Sequence, residues 1–167
     1  MNISKIAPIT IAATLAGTAC LAAERPKQAA QEFATKAASA NMFEIEAAKV
    51  EAAKGKDGPA KQFAADMLKD HGKAGPELEA AAKADGVTVP TSIDADSKKK
   101  VDALASADSA NLDQAYLSTQ LTAHQDAVKL FEQYSKSGPD GQLKNTAGKI
   151  LPDLRMHLVR VQGLTSK

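Results

Sequence analysis

The chain has one cysteine, no tryptophan, four phenylalanines and two tyrosines in 167 residues. With a single cysteine no internal disulfide can form, which rules out a stapled miniature scaffold. Val, Ile, Thr, Tyr and Phe nowhere alternate with polar residues over a run, and this argues against a sandwich, a barrel or a parallel-sheet nucleotide fold. An excess of one charge is also missing. There are 21 Lys and Arg against 20 Asp and Glu, so no one-signed field favours nucleic acid or an anionic membrane surface as partner. The Lys98-Lys99-Lys100 run has no aromatic platform beside it and reads as a solvated helix face. Also absent are a nucleophile elbow, a phosphate-binding glycine loop and a His-Glu-x-x-His helix, so no catalytic residue is assigned. What is abundant is alanine, 34 residues within a hydrophobic fraction of 44%. Alanine is the best helix former, and the length suits one domain with a real core, so the expected fold class is all-α.

Two segments are expected. Residues 1–23 carry one cation, Lys5, followed by an uncharged stretch from Ile6 to Ala23 that ends in small residues. This is the pattern of a secretory signal peptide, cleaved after Ala22 or Ala23, with 24–167 as the mature domain. Pro8, Thr10, Thr14 and Gly17 weaken the stretch as a membrane anchor. Lipoprotein anchoring through Cys20 is the other alternative, but Gly17 stands three residues before it, where a large aliphatic residue is wanted. Cleavage removes Lys5 and Cys20, which takes the cations from 21 to 20 against 20 anions and leaves no thiol. The expected location is therefore periplasmic or secreted, without a transmembrane span in the mature chain.

Turn signals at 55–59, 85–90 and 137–141 divide the mature chain. The expected helices are A at about 26–54, B at about 59–85, C at about 109–136 and D at about 141–164, with Pro59 and the Asp108-Ser109 pair as starting signals. Residues 93–107 are expected to add a short helix between B and C. Short, long and short connections match an antiparallel four-helix bundle with one crossover, the ferritin-like arrangement.

Stepping three and four residues gives an apolar seam for each helix. The seams run Phe33, Ala37, Ala40, Glu44, Ala47; then Ala64, Met67, His71, Ala74, Leu78; then Leu117, Leu121, His124, Val128, Phe131; and Ala147, Ile150, Leu154, His157, Val161, Leu164. Each is interrupted once by a polar residue. The three histidines of the chain fall on three helices, and Glu44 falls on the fourth. Glu44 lies 11 residues before Gly55 and His71 lies 13 after Gly58, while His124 lies 13 before Ser137 and His157 lies 16 after Gly141. At about 1.5 Å per residue these heights nearly match. One core layer of Glu44, His71, His124 and His157 is a complete ligand set for one transition-metal ion, Zn²⁺, Cu²⁺, Ni²⁺ or Fe²⁺. The plainer alternative is that the histidines only organise the core. A di-iron site would want Glu-x-x-His on two helices, and neither His71 nor His157 has a glutamate three before it.

Asp153, four residues before His157, shares its helix face and is a candidate supporting partner. Tyr116 near the start of helix C would need a partner for its hydroxyl if buried, with a bond to another helix as one option. Pro76 and Pro152, each five residues from a histidine, are expected to kink or break their helices.

Five blocks of the chain resemble a known family: 41–46 (Asn-Met-Phe-Glu-Ile-Glu), 67–71 (Met-Leu-Lys-Asp-His), 112–117 (Leu-Asp-Gln-Ala-Tyr-Leu), 123–125 (Ala-His-Gln) and 151–157 (Leu-Pro-Asp-Leu-Arg-Met-His). Together they resemble domain of unknown function 4142, exported ferritin-like bacterial proteins often labelled predicted outer-membrane proteins. The resemblance spans about residues 28–164. The family pattern carries Glu44, Asp70, His71, Asp113, Tyr116, His124, Pro152 and His157 at matching positions, which adds Asp70, Asp113 and Tyr116 as supporting candidates. The chain departs from the pattern at Gly75-Pro76 and at Leu112. The resemblance implies fold and export and brings no reaction. Two function classes result: an exported metal-binding bundle, or a structural or stress-related envelope module. Neither names a protein partner or an oligomeric state.

Overall fold

The structure is a computed structural model and describes residues 16–166, with side chains described from Glu24 onward. The segment read as a signal peptide therefore lies largely outside the described residues, Cys20's side chain included. Five α-helices and no strand are present among the described residues: α1 Ala16–Lys54, α2 Gly58–Ala84, α3 Ala95–Ser106, α4 Leu112–Ser137 and α5 Gln142–Thr165. None of them is long and apolar enough to cross a membrane.

Two helix starts differ from expectation. The first helix begins at Ala16 and runs through Pro26. Proline costs a helix one donor without obliging the chain to stop, and the alanines around it favour continuation. α4 starts three residues late, because the Asp108 carbonyl accepts the amides of Asn111 and Leu112 and closes a turn ahead of the helix. The Asp108-Ser109 pair is thus a turn and not a cap. α2 and α5 run unbroken through Pro76 and Pro152, contrary to a break at either.

Capping explains the other boundaries. Asp57 accepts the Ala60 amide at 2.8 Å with Pro59 in the first turn of α2. Gly86, at φ +69°, reverses the chain after α2 so that the Val87 amide reaches the Ala82 carbonyl, a role that suits glycine at a helix C-terminus. Asp94 accepts the amides of Asp96 and Ser97 at the start of α3, and the Ser39 hydroxyl of α1 donates to it at 2.6 Å. That bond, then those from Ser97, hold its carboxyl below the usual range.

Bonds between helices set the register. Asn41 of α1 reaches His71 of α2, and Glu44 stands opposite His124 of α4. Phe33 meets Phe131 and Tyr134. Asp85, which ends α2, accepts the amides of Gln142 and Leu143 that open α5. Asp70 and Asp66 of α2 meet His157 and Arg160 of α5. Partner numbers fall as the first helix rises for α1 with α4 and for α2 with α5, and the short connection 55–57 folds α2 back along α1, so α1 runs against α2 and α4, and α5 runs against α2. The connection from α2 to α4 joins two helices that point the same way, and α3 lies along it, packed on α1.

Two apolar clusters fill the interior. One, around Phe33, Leu78, Phe131, Tyr134, Leu143 and Leu154, lies at the Asp85 end. The other, around Phe43, Phe63, Met67, Leu112, Tyr116 and Val161, lies at the end where α1 turns into α2. Between them is a polar layer.

Candidate metal centre

The layer contains the residues that periodicity placed there. Glu44, His71, His124 and His157 come from α1, α2, α4 and α5, and none is more than 6% exposed. The three imidazole rings form a near-equilateral triangle, with centroids 5.8, 5.8 and 5.5 Å apart. One ring nitrogen from each lies within 4.8 Å of the others. Phe63 walls one side, its centroid 6.0 Å from His124 and 6.4 Å from His157.

Each imidazole makes one hydrogen bond, and each bond fixes a tautomer. Asn41 donates through Nδ2 to the His71 carbonyl at 3.1 Å, which leaves Oδ1 to accept from His71 Nδ1 at 3.0 Å. Gly75 leaves room for this amide, since a Cβ there would meet Asn41 Nδ2 at 3.0 Å. Pro76 supplies no amide to the next carbonyl, that of Gly72. His124 Nδ1 donates to the Gln120 carbonyl at 3.0 Å, and His157 Nε2 donates to Asp70 Oδ2 at 3.1 Å. All three partners are acceptors, so the bonded nitrogen carries the proton and the other carries a lone pair. Those other atoms, His71 Nε2, His124 Nε2 and His157 Nδ1, are buried without a partner.

Burial keeps His71, His124 and Glu44 neutral near pH 7. Burial, then the other two imidazoles, pushes His71 down to about 3. Burial lowers His124 to about 4, against an opposing pull from the Gln120 carbonyl. Glu44 is pushed up to about 8 by burial, partly offset by the Gln120 side chain. Its Oε1 lies 3.6 Å from His124 Nδ1 and its Oε2 has no partner. Glu44 thus stands beside the imidazole triangle, next to the nitrogen already bonded to Gln120.

The supporting candidates separate. Asp70 touches the layer directly. Asp153 is exposed and borders a surface cleft shared with His157. Asp113 is elsewhere: its Oδ1 accepts the amides of Lys56 and Asp57 at 2.8 and 3.0 Å, in the turn between α1 and α2. Tyr116 is fully buried and its hydroxyl finds no partner, so of the two options for it, a bond to another helix or packing alone, the structure shows packing. Burial raises its pKa, with Glu44 and Glu51 adding to the rise.

Sequence reasoning missed Asn41, Gln120 and Glu51. Gln120 and Glu51 are fully buried, and both polar atoms of each side chain lack partners. Gln120 is one turn before His124 and Glu51 is two turns after Glu44, so the helical period that found the layer also leads to them. Burial raises Glu51 to about 8, with the neighbouring Asp113 carboxylate adding to the shift.

The sequence model of the family described as Domain of unknown function (DUF4142) matches residues 16–164, and the chain belongs to that family. No match is found among curated proteins. Among solved structures, the crystal structure of a DUF305 fragment from Deinococcus radiodurans is similar, with a TM-score of 0.71 at 14% identity. The similarity covers 83% of this chain and 95% of that one, and at this identity it speaks for a shared fold alone.

Proposed function

We propose that this DUF4142 protein is an exported, ferritin-like four-helix bundle that binds one transition-metal ion, Zn²⁺, Cu²⁺, Ni²⁺ or Fe²⁺, through His71, His124 and His157. The carrying observation is the set of three buried lone pairs on imidazoles whose opposite nitrogens are each tied to an acceptor. Histidine ligands are oriented in this way at metal sites, by a carbonyl or carboxylate on the nitrogen facing away from the metal. Leaving a buried polar atom unpaired costs about 1–3 kcal/mol, and three such atoms within one layer are accounted for by a shared cation. Neutral imidazoles suit each of the four ions. Glu44 supplies a fourth group beside the triangle. The antiparallel register of the long helices and the crossover carrying α3 support the ferritin-like label.

A second reading is a non-catalytic structural or stress-related module of the envelope. It is favoured by the single bond each histidine already makes, which fixes helix register without any metal. Elemental analysis of protein purified from its native source separates the two. About one transition-metal ion per chain supports the first, and metal-free protein supports the second. Export is tested by mass spectrometry of the same material. A new N-terminus at residue 23 or 24 is expected, and an intact Met1 or an acylated Cys20 contradicts it.

A further inference from the structure

Between α2 and α5 a cleft of about 140 Å³ opens to solvent, lined by Asp70, Lys73, Glu77, Lys149 and Asp153, with His71 and His157 also in its wall. Phe63 covers one side of the layer, with the Arg160 guanidinium over its ring and Arg160 paired to Asp66 one turn from His157. On another side is a cavity of only about 20 Å³, bounded by Glu44 and His71 of the layer and by Ala37, Leu78, Phe131 and Leu154. That is about the room of a single water, far less than the cleft provides.

We infer that the α2–α5 cleft is the route by which a divalent transition-metal cation reaches the three imidazoles, with Asp70 as its inner step. This rests on the metal-binding reading above. Three carboxylates against two ammonium groups give the mouth a net attraction for a cation, while Lys73 and Lys149 temper it. Asp70 belongs to both regions: its side chain is 27% exposed in the cleft, and its Oδ2 accepts from His157 Nε2. A cation drawn to the mouth meets carboxylate oxygens first, and Asp70 is the one nearest the layer, on the Nε2 side of the His157 ring rather than at its free Nδ1. Asp70 is a positioning residue in the formed site, and Asp153 acts only on approach.

The test is loading of the metal-free full chain with Zn²⁺ transferred from a chromophoric chelator, followed by stopped flow. Equilibrium binding by the wild type is measured first. If it takes up no Zn²⁺, the metal reading fails before any rate is compared. Given binding, Asp153→Lys is expected to slow loading about 10-fold at low ionic strength, with the difference shrinking in high salt. Asp102→Lys on α3, remote from the cleft, should load at the wild-type rate. Asp70→Asn should weaken equilibrium binding by about 10–100-fold, and Asp70→Glu should restore it. Loading of Asp153→Lys at the wild-type rate, or equal slowing by Asp102→Lys, overturns the route. Asp70→Asn binding as tightly as the wild type removes Asp70 from it.

Discussion

The two halves of the interior, on either side of the imidazole layer, are built differently. The half at the Asp85 end is apolar. Phe33 stacks on Tyr134 at 3.8 Å and meets Phe131 edge-on at 5.1 Å, and no buried side-chain atom lacks a partner among that cluster. The half at the turn between α1 and α2 has comparable apolar packing, yet it also buries Glu51, Tyr116 and Gln120 with unpartnered atoms. All such atoms in the described residues belong either to the layer or to that second half. Both halves therefore contribute apolar packing, while the second also carries polar groups at a cost in stability, as sites retained for a role commonly do.

Substitutions in the two halves should then differ in sign as well as size. The largest effect is expected from Phe33→Ala in the apolar half, a loss of about 3–5 kcal/mol in urea unfolding of the metal-free protein. A loss below about 1 kcal/mol would mean that the apolar half is not the anchor. In the polar half, Glu51→Gln should stabilise. The Glu51 carboxyl titrates near 4.5 in the unfolded chain and near 8 in the fold, so between these values the folded chain holds a proton that the unfolded chain has released. Its contribution is fully present below pH 4.5 and is lost as pH rises through about 8. The advantage of Glu51→Gln over wild type should accordingly be absent below pH 4.5 and grow to about 1–3 kcal/mol above pH 8. Glu44 and the imidazoles are common to both proteins, and Asp57, Lys61 and Asp113, which act on Glu51, stay in place. A pH-independent difference would show that Glu51 is already satisfied.

Smaller changes sharpen the comparison at its edges. Asp85→Ala removes the acceptor for the Gln142 and Leu143 amides and should cost about 1 kcal/mol, read as a lower midpoint in denaturant. Tyr116→Phe removes a hydroxyl without a partner and should leave stability unchanged or slightly raised, within about 0.5 kcal/mol. A clear loss would reveal a partner for that hydroxyl.

Much of this architecture was legible in the residues. The glycine and proline turns located the connections, residues 93–107 contained α3 at Ala95–Ser106, and the three-and-four step put Glu44 and the three histidines at one height. Less legible was everything that depends on a neighbouring helix. Asp85 looks like the end of α2 alone, but its carboxylate serves α5. Asp113 belongs to a block shared with the family, yet its position faces the turn after α1. The row Tyr116, Gln120, His124 is fully buried, whereas Leu121 and Val128 of the drawn seam are only half-buried. Periodicity gives the face of a helix but leaves its rotation uncertain by about one residue, some 100°. Neither proline breaks its helix, because a helix packed on two neighbours tolerates a lost hydrogen bond that would end an isolated one.

The central claim, that His71, His124 and His157 bind one transition-metal ion, is tested most directly by thermal unfolding of the wild type and His124→Ala. Each is melted without metal and with Zn²⁺, Cu²⁺, Ni²⁺ or Fe²⁺. At metal about 100-fold above the dissociation constant the wild type should gain about 2.7 kcal/mol and a higher Tm with at least one ion. His124→Ala, helical by circular dichroism, should show no such gain. A wild type indifferent to all four ions, or a His124→Ala variant stabilised equally, contradicts the account.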